Sequence, residues 1–133
     1  MPVRVNWTSP EQNAILVKIT DRWTWRVIET MLVGLLALDT AADHPYDLII
    51  DGSQTTLWEP DLLEHIRANY TTPYLKNRRL MLIVGADEFS RMLIEAIPAL
   101  PGMSHMKFLF FDALDAALAF SASYTDPDKP TGG

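Results

Sequence analysis

Apolar and polar residues follow two different periods along this chain. Val3-Arg-Val-Asn-Trp7 alternates with period two, as a strand with one buried face does. Ser9-Pro-Glu-Gln-Asn13 is turn chemistry, and Ala14 to Ile19 is an apolar, β-branched run. The short turn predicts an antiparallel hairpin. After it the period changes. Thr24 is a candidate cap, and Val27, Ile28, Met31, Leu32, Leu35 and Leu38 recur at helical spacing. Gly34 lies inside this helix, where a close helix–sheet contact would account for it. Asp43-His-Pro45 closes the helix, since proline disfavours helical geometry in the residue before it.

Strand and helix signals then alternate. Tyr46-Asp-Leu-Ile-Ile50 is a short strand running into the polar loop Asp51-Gly-Ser53. Pro60 suits the first turn of a helix through Leu62, Leu63, Ile66 and Tyr70, with Asp61 and Glu64 favoured by the dipole at its start. Leu80 to Val84 is almost continuously apolar, as a central strand covered on both faces is. Gly85 ends it. Asp87 opens a helix whose expected inner face is Phe89, Met92, Leu93, Ala96 and Ile97, and Pro98 and Pro101-Gly102 stop it. Lys107 to Phe111 is the last strand. Asp112 is the expected cap of a closing helix carrying Leu114, Ala117, Leu118 and Phe120. The expected fold is therefore α/β: a mixed sheet of about five strands, opened by an antiparallel hairpin and continued by alternating helix–strand units, with about four helices. Residues 1–124 are expected to form one domain and 125–133 a disordered tail without apolar content.

Composition narrows the function classes. The chain has 133 residues, 48% hydrophobic and 21% charged, enough for a core and unlike a disordered segment. There is no cysteine, which removes thiolate metal sites and thiol nucleophiles together and suits a cytoplasmic setting. A net charge of −6 opposes nucleic-acid and anionic-membrane binding, both of which call for a basic face. The longest apolar stretch, near Met31 to Leu38, is too short to span a bilayer, and the start is not that of a signal peptide.

No motif with catalytic spacing is present: no Gly-x-Ser-x-Gly elbow and no glycine-rich phosphate loop. The chain reads as non-catalytic and calls for no cofactor. Asp61 and His65 stand four apart, a spacing that places two metal ligands on one helix face, but no third ligand is placed beside them and a solvated face is the expectation. Lys76-Asn-Arg-Arg79 is the one basic cluster, read as solubilising charge before a buried strand. Asp51 and Ser53 stand at a strand's carboxyl end, where ligands gather in open α/β sheets, although closing a turn is the commoner use of this pair. Of the four tryptophans, Trp58 is the strongest interface candidate.

The element order, with an Ile-Ile-Asp strand end before a loop and helix, resembles the STAS fold of anti-sigma factor antagonists. The resemblance spans about Val3 to Ser123. It is carried by Trp23-Thr24-Trp25, by the strand Asp47 to Asp51, by Val84-Gly85, and by the closing strand and alanine-rich helix from Phe108 to Phe120. It implies a regulatory module that binds a protein partner through the loop and helix after the third strand: Asp51, Ser53, Trp58, Glu59, Asp61 and His65. A homodimer through tryptophan or apolar surface is compatible with it. Antagonists of the sporulation type open that helix with Asp-Ser-Ser-Gly, where a partner kinase phosphorylates a serine. Here the corresponding stretch is Trp58-Glu59-Pro60-Asp61, without a hydroxyl. The alternative is a small-ligand pocket, or a weak enzyme, at the strand ends, built from Asp51, Ser53, Gly85 and Asp87.

Overall fold

The computed structural model describes residues 3–8, 13–20, 22–55, 61–68, 75–100 and 106–124. Five strands form one sheet in the order β1-β2-β3-β4-β5: Val3–Trp7, Ala14–Ile19, Tyr46–Asp51, Arg78–Val84 and Leu109–Phe111. β1 pairs antiparallel with β2, and every later pair is parallel. The hairpin and the alternating units thus form the expected mixed sheet.

The helices are α1 (Trp25–Ala41), α2 (Leu62–Ala68), α3 (Glu88–Glu95) and α4 (Leu114–Ser123). Alternation along the strands sets two cores. Ile15, Val17 and Ile19 of β2, with Tyr46, Leu48 and Ile50 of β3, face α1 and α3. Leu63 of α2 packs against this same layer. The opposite face of the sheet presents Ile49, Leu82 and Val84 to Ala117, Leu114 and Leu118 of α4, the one helix on this face among the described residues. β3 is buried at all six positions, as a strand between two helical layers must be.

α1 starts where expected. The Thr24 side chain accepts the Val27 N–H, and Val27, Ile28, Met31 and Leu35 form the buried stripe. A Cβ on Gly34 would meet Val5 Cγ2 at 3.4 Å, so the glycine does mark a tight crossing of helix over sheet.

Four expectations need correction. On α3 the inner face is Ser90, Leu93 and Ile94, continued by Ile97, whereas Phe89 and Met92 are 46% and 58% exposed. Asp87 accepts the Ser90 N–H at 2.7 Å, and this cap sets the helix phase that turns the small serine inward. The N-cap of α4 is Ala113, without a side-chain cap bond, not Asp112. The last strand is three residues, two shorter than Lys107 to Phe111 predicts. The basic cluster is not uniformly solvated charge: Asn77 and Arg79 are half-buried and hold structural bonds described below. Tyr70, Trp58, Glu59, Pro60 and the tail 125–133 lie outside the described residues. Among the described residues, no helix is long and apolar enough to cross a membrane.

Candidate functional site

β3 delivers Asp51 to the carboxyl edge of the sheet, 5% exposed. One oxygen, Oδ1, accepts both the Ser53 N–H at 3.0 Å and the Ser53 hydroxyl at 2.6 Å. The chain then turns: Gly52 N–H donates to the Val84 carbonyl at 2.9 Å, and Thr55 N–H to the Gly52 carbonyl at 3.2 Å. The loop is thereby fastened over the end of β4.

Gly85 explains how closely it sits. Its φ is +72°, and a Cβ there would fall 2.6 Å from Ser53 Cα. Only glycine meets both conditions. Two residues on, the Asp87 carboxylate is engaged as the cap of α3. Asp51, Ser53, Gly85 and Asp87 are therefore neighbours along one edge, but their polar groups are bonded to one another and to local backbone. Beneath the loop, Gly52, Thr55, Val84 and Ser90 are among the residues that line a cavity of about 10 Å³.

Asp61 is exposed and begins the turn leading into α2, where its carbonyl accepts the His65 N–H at 2.9 Å. The half-buried His65 ring stacks on Trp25, with centroids 5.0 Å apart and planes 10° from parallel. This contact joins α2 to the first turn of α1. Trp23, two residues earlier, is buried at 6% exposure, so alternation sends the two tryptophans to different environments. Among the described residues, no group of three His, Asp or Glu side chains is arranged to hold a metal ion.

The opposite, amino-terminal edge holds polar machinery that the sequence reading missed. The side chain of Asp47, 1% exposed, forms a two-pronged ion pair with Arg79: Nε to Oδ1 at 2.8 Å and Nη2 to Oδ2 at 2.7 Å. Asp47 also accepts the Leu80 N–H at 3.2 Å and the hydroxyl of Ser121. Pairing explains the Leu80 bond. Tyr46 pairs with Arg78 but Leu48 with Met81, so β4 carries one extra residue there. A bulge takes an N–H out of the ladder, and the carboxylate receives it. Arg79 continues to the Ser121 and Tyr124 carbonyls at 3.1 and 3.2 Å, capping the end of α4.

Beside it, Asp39 is 2% exposed. It accepts the Tyr46 hydroxyl at 2.9 Å, the Asn77 N–H at 3.0 Å and the Lys76 N–H at 3.2 Å. Asn77 returns its side-chain amide to the Asp39 and Ala42 carbonyls at the end of α1. Burial, then the Asp39 carboxylate, pushes the Tyr46 phenol well above its ordinary value. A cavity of about 400 Å³ opens on this edge, lined by Asp47, Arg79, Ser121 and Tyr124 among others. Asp47 already accepts four hydrogen bonds, the capacity of a carboxylate, so it has none left for a guest.

The architecture defines the chain as an α/β domain of the STAS fold, which the element order implied. No protein-family model and no curated protein sequence matches it. A solved structure does: the anti-sigma factor antagonist SpoIIAA in its unphosphorylated form superposes with a TM-score of 0.56 over 90% of this chain and 96% of that one. Sequence identity is 6%, so the likeness is one of backbone.

Proposed function

We propose that this chain is a non-catalytic regulatory module that binds a protein partner through the loop and helix after β3, from Asp51 to His65. The observation that carries the reading is the fold's likeness to an anti-sigma factor antagonist over nearly the whole chain. The geometry of the edge supports it. Asp51, Ser53 and Asp87 are engaged locally, and the cavity of about 10 Å³ that described residues line beneath the loop is far below the several hundred Å³ of a ligand pocket. Beside it lies a surface on which Asp61 is exposed and the Trp25–His65 stack is half-buried. Trp58 and Glu59 belong to the same segment.

The helix opening carries Glu59 and Asp61 where sporulation-type antagonists carry a phosphorylatable serine. The proposed module therefore presents fixed negative charge and does not depend on a kinase at that position. Homodimerisation is part of the reading, through apolar surface such as Val33 on α1 and Met92 on α3, which are 72% and 58% exposed. So is a cytoplasmic setting.

The test is affinity capture from the native cell's lysate, with and without ATP, read by mass spectrometry. The expected result is a partner retained in both conditions and lost when Trp58 and Glu59 are changed to alanine. Glu59→Gln with Asp61→Asn should weaken the purified complex roughly tenfold, the loss of about 1.4 kcal/mol of charge-assisted contact. A partner that binds the alanine variant equally well would remove this surface from consideration. Unchanged affinity of the amide variant would remove the fixed-charge idea alone.

A further inference from the structure

The cavity of about 10 Å³ beneath the loop after β3 has a chemistry of its own. Trp23, Gly52, Thr55, Val84 and Ser90 are among the residues lining it. Two of them hold a buried polar atom with no hydrogen-bond partner in the protein: Nε1 of Trp23 and Oγ1 of Thr55. Trp23 as a whole is only 6% exposed. Buried polar side-chain atoms are almost always paired, and each exception calls for a cause. Here both exceptions belong to residues that line one space.

Size and valence define what fits. A volume of about 10 Å³ lies at the threshold for holding one water and excludes any larger molecule. The indole N–H only donates, so the occupant must accept, which rules out a metal or ammonium cation. The threonine hydroxyl both donates and accepts, so the occupant can bond it in either sense. We propose that this space is a binding site for one ordered water molecule, which accepts from the Trp23 indole and bonds the Thr55 hydroxyl. The water ties the loop leaving β3 to the segment that enters α1, two parts of the chain about thirty residues apart in sequence with no direct side-chain bond between these two groups. The site stands on the cavity and its unpaired atoms, whatever the outer surface binds.

The sign of one substitution decides the matter. Thr55→Val keeps the shape and removes the hydroxyl. With a water present, the change removes one of the water's two named partners, leaving it held by the indole N–H or lost with that N–H unpaired, and the folding equilibrium constant should fall roughly tenfold in denaturant titration. In a dry cavity the same change removes an unpaired buried hydroxyl, so stability would be unchanged or raised, and the proposal fails. A high-resolution crystal structure of the unaltered protein is the second arm. A density peak within hydrogen-bond reach of both Trp23 Nε1 and Thr55 Oγ1 is expected. A space without one overturns the proposal even if Thr55→Val is destabilising, since the hydroxyl would then matter for another reason.

Discussion

The two edges of the sheet are held in opposite ways. At the amino-terminal edge, Asp39 and Asp47 are buried carboxylates that reach across the sequence to Asn77, Arg79, Leu80 and Ser121. At the carboxyl edge the side-chain hydrogen bonds among the described residues are local, Asp51 to Ser53 and Asp87 to Ser90, and the longer reach from Gly52 to Val84 is made by backbone alone. One edge locks helices α1 and α4 to the strands. The other is closed, among the described residues, by turns that carry their own side-chain bonds. A scaffold with one rigid edge can present variable loops at the other without losing its fold.

Breaking the lock should have the largest effect. Arg79→Met leaves the Asp47 carboxylate buried without its cation, and a loss of about 3–5 kcal/mol is expected in urea denaturation. Lys76→Met, on the exposed neighbour, should change stability by less than about 0.5 kcal/mol and serves as the control. Tyr46→Phe removes a hydrogen bond to a buried carboxylate and should cost roughly 1.5–3 kcal/mol. It should also change the pH profile. The folded state raises the Tyr46 phenol above its ordinary value of 10.0, so the unfolded chain releases that proton first. The stabilisation from the neutral phenol is complete below about pH 10 and is lost as pH rises beyond it. The unaltered protein should lose stability more steeply in that alkaline range than Tyr46→Phe does.

The carboxyl edge should give smaller losses of stability and larger losses of binding. Gly85→Ala sets a Cβ against Ser53 Cα in a left-handed conformation, and about 1–3 kcal/mol should be lost. The smaller effect at this edge is expected for His65→Ala, about 1 kcal/mol or less from the Trp25 stack. If that variant keeps its stability and still captures the partner, the stack belongs to packing alone, and the contrast between the edges weakens.

The strands and helices were legible because burial dictates period, and it did so at β2, α1 and β4 with little interference. The amino-edge lock was harder to see. Asp39 falls in a helical pattern where a surface acid is ordinary, and its partner Asn77 lies 38 residues away. A signal for Asp47 did exist. A carboxylate one residue inside a strand apolar enough to be buried on both faces needs a partner, and Arg79 stands at the start of the other such strand. On α3, Phe89 and Met92 satisfy a helical spacing but not the phase that the Asp87 cap imposes. At the candidate surface the residue types were readable, whereas the Trp25–His65 stack depends on how α1 and α2 meet, which no local pattern encodes.

Because α4 is the helix that packs on the second face of the sheet among the described residues, the order of synthesis matters to this fold. A ribosome that has released everything up to Ala113 holds a chain whose strands can pair while Ile49, Leu82 and Val84 face solvent. Asp47 at that moment lacks its Ser121 donor, and the α4 carbonyls that receive Arg79 do not yet exist. That nascent intermediate is the sticky one, and slow translation through the last helix would lengthen its exposure to chaperones and to other unfinished chains.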